Sequence, residues 1–163
     1  MGEKQALPHV ILSGRYATGD SAMTDYASDL SSHRIKKAKD LLRQAELLLK
    51  NNEYDGSVNR SYFAIFHAIR ALLALVGLDS RKHTGVISYF DQYFVKTGIC
   101  EKQQSMIAHT AFDSRQLQDY QDFQEITAEQ AQTQFNDATR FVLEIKQQQV
   151  LLIQGKTVLP KIP

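Results

Sequence analysis

A run of twenty residues, Asn59 to Leu78 (N-R-S-Y-F-A-I-F-H-A-I-R-A-L-L-A-L-V-G-L), limits what this chain can fold into. Val58, Tyr62, Ile65, Ile69, Leu72 and Val76 recur at three- and four-residue steps, which places them on one stripe of an α-helix. Phe66 and Leu73 widen the stripe, so the spacing predicts a core helix covered on more than one side. On its flank stand Arg60 and His67, seven positions apart and therefore nearly in line. At a rise of ~1.5 Å per residue they are separated by roughly 10 Å, with Phe63 between them. A guanidinium and an imidazole among apolar neighbours are costly unless they find partners. Two readings follow: they act on a ligand, or they hold the fold through hydrogen bonds. Asp119 is the expected counter-ion for Arg60 in the second reading.

The same periodicity predicts the remaining elements. A first helix is expected from Ser31 or Ser32, with Ile35, Ala38, Leu42, Ala45 and Leu49 inward, Leu41 and Leu48 beside them, and Asn51-Asn52 as its end. The short link to the central helix implies antiparallel packing. A third helix is expected from Thr84, burying Val86, Ile87, Phe90 and Phe94, with Gly98 at its C-terminal boundary. A fourth should span about Glu101 to Gln116, using Met106, Ile107 and Phe112. Asp119 to Phe123 shows no clear period. Thr127-Ala128-Glu129-Gln130 has capping-box spacing and opens a fifth helix, with Ala131, Phe135, Ala138, Val142 and Ile145 inward and Gly155 as its stop. Strand patterns are nearly absent. The expected fold is all-α, an up-and-down bundle of four to five helices over residues 25–154, with an irregular arm at 1–24 and a tail at 155–163.

Composition adds exclusions. Net charge is +1, so no global field selects a nucleic acid or a membrane. Arg34, Lys36, Lys37, Lys39, Arg43 and Lys50 crowd the first helix. Such a run is either a solvated face or an attractor for phosphates. One cysteine, Cys100, excludes an internal disulfide and fits a reducing compartment. No His/Cys spacing suits zinc, and neither a signal peptide nor a spanning segment is expected. The expected location is cytoplasmic, with neither metal nor other cofactor.

Three motifs then carry a family likeness. Asn59-Arg60-Ser61-Tyr62-Phe63-Ala64-Ile65-Phe66-His67-Ala68 resembles the N-R-x-Y-Y/F-A-x-F-H-A signature of the HEPN family (higher eukaryotes and prokaryotes nucleotide-binding domain). Lys82-His83-Thr84-Gly85-Val86 is similar to the K-x-H-S/T-G-V turn of its small stand-alone members. Arg115 to Tyr120 resembles their later R-x-x-x-D-Y. Together the three cover roughly Ala38 to Ile145. The resemblance implies a helical homodimer that binds RNA or nucleotide phosphates, often paired with a minimal nucleotidyltransferase as a toxin–antitoxin module. In ribonuclease members, an Arg and a His spaced R-x(4–6)-H cleave RNA without a metal in a cleft between two subunits. Arg60 and His67 satisfy that spacing. Ser61 stands where Asn, Asp or His commonly follows the Arg, and Ile69 occupies the Tyr position of the R-x4-H-x-Y variant.

From this resemblance, His67 is the candidate base, Arg60 the phosphate clamp and Ser61 a supporting donor. Lys82, His83, Arg115, Asp119 and Tyr120 are candidate phosphate or nucleotide contacts. His83 also has a plainer reading, as a turn residue hydrogen-bonded to the central helix. The other aromatic residues fall mostly on core stripes and read as packing. The alternative function is a non-catalytic helical partner of a nucleotidyltransferase.

Overall fold

Small side chains set the closest helix contact in the molecule. Ala38 and Ala45 on one helix, and Ala64, Ala68 and Ala71 on the next, are all fully buried. With no bulk between them, serines can reach across to backbone carbonyls. Ser31 Oγ donates to the Ala71 carbonyl at 2.6 Å and Ser57 Oγ donates to the Ala45 carbonyl at 2.9 Å. In the computed structural model, which describes residues 21–163 apart from 121 and 123 and side chains from Asp25 onward, these helices are α1 (Ser21–Lys50) and α2 (Tyr54–Leu75). They run antiparallel through a tight turn in which Asn52 takes a left-handed conformation (φ 59°).

Three further helices complete the bundle: α3 (His83–Phe90), α4 (Lys102–Tyr120) and α5 (Ala128–Ile153). A π-helical turn, Asp91–Val95, extends α3. There is no strand among the described residues, so the all-α expectation holds. The central stripe is buried as expected as far as Leu72: Val58, Tyr62, Ile65, Ile69 and Leu72 are at most 2% exposed, whereas Val76, expected to end it, lies just past the helix and is half-buried. Phe90 and Phe94 pack from α3 and its extension, Phe141, Val142 and Ile145 from α5. The capping box at Thr127 and Gln130 closes in both directions, at 3.1 and 3.0 Å. Gly98 and Gly155 sit at helix ends with φ of +81° and +70°.

Four local expectations change. The first helix starts at Ser21, ten residues before Ser31, because Ser31 lies inside the helix and spends its hydroxyl on α2. The irregular arm expected at 1–24 lies outside the described residues as far as residue 20, and 21–24 are helical backbone. The fourth helix continues past Gln116 to Tyr120, so Asp119 and Tyr120 are helical as well as Arg115. Met106, expected inward, is 67% exposed. The buried line of α4 is instead Gln104, Ala108 and Ala111. Gln104 is tolerated there because its amide is satisfied at both ends, accepting from the Glu101 N–H at 2.8 Å and donating to Glu144 at 2.9 Å.

Candidate functional site

Four α2 side chains, Arg60, Phe63, His67 and Arg70, follow one another at steps of three and four and so share one face. That face lies between α1 on one side and the α3 and α4 residues His83 and Arg115 on the other. Arg60, at its outer end, is exposed, and its Nη1 donates only to the neighbouring Asn59 Oδ1, at 3.1 Å. Asp119 is exposed and forms no ion pair among the described residues, so the expected Arg60–Asp119 pairing is corrected: α4 carries Asp119 on its outer side. Ser61, one position on and turned ~100° around the helix, is fully buried within the bundle, and its Oγ has no partner. The helix therefore brings Arg60 and His67 to one face and takes Ser61 away from it.

His67 is 8% exposed, and its Nδ1 is enclosed without a hydrogen-bond partner. Burial and then the positive charges of Lys37, Arg70 and Arg34, with His83 nearby, lower its pKa to about 4. The imidazole is therefore neutral at physiological pH. Sequence reasoning did not single out its cationic neighbours. Arg70 follows His67 by three residues, a spacing that puts both on one face. Arg34 and Lys37 belong to the basic run that reads as either a solvated face or an attractor for phosphates, and nothing in that run points to His67.

Asp79 holds the two arginines in place. Arg70 Nη2 and Nε approach its carboxylate at 2.7 and 3.2 Å, and Arg34 Nη2 does so at 3.3 Å. Arg34 Nη1 also donates to the Arg70 carbonyl at 2.9 Å, tying α1 to α2 at this point. Burial alone would raise the Asp79 pKa. The Arg70 hydrogen bond, the Ser80 N–H and both guanidinium charges outweigh it and hold the carboxyl below its ordinary value. One acid thus faces two arginines, and Lys37 and Arg115 add further positive charge around His67 and His83.

His83 enters from the turn before α3. Asp79 Oδ1 accepts the Ser80 N–H at 2.9 Å, and Ser80 Oγ accepts the Lys82 N–H at 3.2 Å. The turn then passes so close to α3 that a Cβ on Gly85 would fall 2.2 Å from Ser80 Oγ and 2.9 Å from Ser80 Cβ. This tight turn sets His83 parallel to Phe66, with ring centroids 4.2 Å apart. His83 Nδ1 meets the Tyr62 hydroxyl at 2.7 Å and Arg115 Nη1 at 3.1 Å. Arg115 in turn lies over the rings of Phe63 and Tyr62, at 4.8 and 5.0 Å. The hydrogen bond from His83 to the central helix is thus present. Tyr62, which reads from the sequence as packing, contributes its hydroxyl to the cluster as well as its ring to the core. Lys82 and Tyr120 are exposed, Tyr120 at 83%.

The result is a cationic groove between α1 and the His83–Arg115 side, with two histidines sharing an aromatic floor of Phe63 and Phe66. Its chemistry suits an anion with several oxygens, since guanidinium groups and N–H donors surround a neutral imidazole. A separate cavity of about 520 Å³ opens on the opposite face of α2, beside Val58 and Ile65, with Glu125, Glu129 and Asp137 in its lining. Cys100 is buried, and burial with the nearby Glu144 pushes its thiol up to about 12, far from a reactive thiolate. Among the described residues no helix is long and apolar enough to cross a membrane, and no cluster of three potential metal ligands occurs.

Comparison with known proteins gives a consistent set of likenesses. The HEPN domain model matches residues 31–148. A UPF0332 protein of Thermotoga maritima is 36% identical over 107 residues, covering 66% of this chain and 81% of that protein. A Pyrococcus horikoshii UPF0332 protein is 39% identical over 92 residues, or 56% of this chain and 64% of its own. A Methanocaldococcus jannaschii protein bearing the name "Putative toxin MJ0605" is 37% identical over 112 residues, or 69% of this chain and 83% of its own.

Proposed function

This chain belongs to the HEPN domain family, and we propose that it binds RNA as a homodimer and cleaves it without a metal, as the toxin-like half of a two-component module. The observation that carries this reading is the setting of His67, a neutral imidazole beside Phe63 and Phe66 amid Lys37, Arg34 and Arg70. A phosphodiester seated there would be held by the cations. Its own charge would offset their repulsion and move the His67 pKa back towards its ordinary range, where an imidazole is an effective base. His67 would take the proton of a ribose 2′-hydroxyl, and the 2′-oxygen would attack the adjacent phosphorus. The 5′-oxygen would leave with a proton from water, giving a 2′,3′-cyclic phosphate and a free 5′-hydroxyl.

Arg60 stands roughly 10 Å along the helix from His67, too far for both to serve one phosphate within a protomer. Two α2 faces meeting across a two-fold axis would bring each Arg60 to the partner's groove, where its planar fork would meet the charge developing on the phosphoryl oxygens. Lys82, Arg115 and His83 would contact neighbouring phosphates, and the exposed Asp119 and Tyr120 the flanking nucleotide.

The "Putative toxin" name belongs to the Methanocaldococcus protein, and the toxin-like role comes to this chain by that similarity. A second reading is a non-catalytic helical partner of a minimal nucleotidyltransferase. The depth of His67 and its lowered pKa favour it, since a base of pKa about 4 is weak until a ligand arrives. Purified protein incubated with RNA and excess chelator decides between the two. Cleavage that persists under chelation and is lost in His67→Ala supports the ribonuclease. Intact RNA at high protein concentration rejects it in favour of the partner role.

A further inference from the structure

His83 receives its contacts from groups of unequal chemistry. Arg115 has donors only and cannot accept a hydrogen bond. Its Nη1 lies 3.1 Å from His83 Nδ1, so that nitrogen must offer its lone pair. The proton of the neutral ring is then on Nε2. Tyr62 reaches the same Nδ1 at 2.7 Å and acts as the second donor. Burial raises the Tyr62 pKa to about 12, against the pull of Arg115, so the hydroxyl keeps its proton throughout the physiological range. No protein group among the described residues bonds Nε2. Protonating Nδ1 would bring two N–H donors face to face and put a cation beside Arg115.

Among the described residues, the charged groups that act on His83 oppose that protonation. Arg115 of α4 and Arg70 of α2 are the cations that lower its pKa, after burial. His67 is a further neighbour on α2, and Arg81 and Lys82 precede His83 in its own turn. Asp79, four residues before His83, is occupied by Arg34 and Arg70. The two histidines of the groove are thus built differently: His67 Nδ1 is enclosed without a partner, whereas the basic nitrogen of His83 meets two donors.

We propose that His83 is a fixed neutral donor whose Nε2–H contacts a non-bridging oxygen of an RNA phosphodiester, and that Tyr62 and Arg115 are the positioning residues that hold it in that tautomer. His67 is then the only histidine of the groove that exchanges a proton with substrate. A neutral imidazole donor serves an oxyanion without a change of charge, so its contribution is constant across the pH range in which His67 titrates. The inference rests on the reading of this groove as an RNA site.

Two measurements on the full chain test it separately from catalysis. Nitrogen-15 NMR of the free protein reports the His83 tautomer, and a 2′-O-methyl oligoribonucleotide, which lacks the attacking hydroxyl, reports binding. The expected result is an Nε2–H tautomer whose Nε2 signal shifts when the oligonucleotide binds. Affinity should fall about tenfold or more in His83→Ala, the cost of one hydrogen bond to a charged group, and be largely kept in His83→Gln, which retains a neutral donor. In Arg115→Leu, which leaves only the Tyr62 hydroxyl, able to accept as well as donate, at Nδ1, the tautomer should become mixed and binding should gain a dependence on pH near the ordinary histidine range. An Nδ1–H tautomer, or tight binding that leaves His83 unperturbed, overturns the inference while leaving the RNA site standing. No binding of the oligonucleotide at any pH overturns both.

Discussion

Arg60 and His67 stand two helical turns apart on one face of α2, yet Arg60 is exposed with a single neighbour-to-neighbour hydrogen bond and His67 is 8% exposed. The difference follows from place. Arg60 lies at the outer end of the face, whereas His67 is closed in by Phe63 and Phe66. Removing the Arg60 side chain should therefore change thermal stability by no more than about 0.5 kcal/mol, as for other exposed positions. RNA cleavage should fall by about 10²–10³, the usual effect of losing one donor to a developing oxyanion. Melting curves and initial rates for Arg60→Ala check this, and a large loss of stability would make the residue structural.

His67 gives a dependence of stability on pH. Its pKa is lowered to about 4 in the folded protein, against an ordinary value near 6.5, so the unfolded chain binds more protons between these limits. Stability from this group is fully present above the unfolded value and is lost as pH falls towards 4. Between pH 7 and pH 5 the loss should be about 2 kcal/mol. Urea titrations of the wild type and His67→Gln at both pH values should show a smaller decline in the variant. Equal declines would mean that His67 is not the group responsible.

Asp79 holds two guanidinium groups, one of which, Arg34, has a side chain only 12% exposed. Asp79→Asn should destabilise by about 1–3 kcal/mol, since it leaves charged donors without their acceptor. Added inorganic phosphate should raise the melting temperature of this variant more than that of the wild type, because an anion can take the carboxylate's place. Scanning calorimetry with and without phosphate reads both effects.

The turn that carries His83 closes without room for a side chain at Gly85. Gly85→Ala should cost about 1–3 kcal/mol through forced displacement of Ser80 and should loosen the Tyr62–His83 contact. Combining it with Ser80→Gly removes the clash and should recover part of the loss. Tyrosine fluorescence and chemical denaturation of the single and double variants give the comparison.

Much of the fold was legible because its inward residues are large and periodic. The stripes through Tyr62, Ile69 and Leu72, and through Ala138, Val142 and Ile145, follow the helical repeat and are buried. The misreadings occur where a core is built from other materials. Gln104, Ala108 and Ala111 line α4 in place of Met106, since a polar amide with both ends bonded serves as well as an apolar side chain. Ser31 resembles a cap but is a cross-helix donor, and nothing local distinguishes the two. In the site, Arg60, His67 and His83 stood out by chemistry. Arg34 and Lys37 did so only as members of a basic run open to a phosphate-attracting reading, and Arg70 and the hydroxyl of Tyr62 did not, because their part depends on which helices meet. That is a tertiary fact, and only Arg70, three residues from His67, left a trace in the spacing.

Subunit complementation tests the shared groove most directly. Arg60→Ala and His67→Ala proteins are each expected to be inactive on RNA, and mixing them under exchange conditions forms heterodimers that regenerate one complete groove from two damaged chains. The predicted result is recovery of about a quarter of wild-type activity, since roughly half the dimers would be mixed and each would hold one intact site of two. Failure of the mixture to cleave RNA, with heterodimers shown to be present and the wild type active, would contradict a cleft in which Arg60 of one protomer serves His67 of the other.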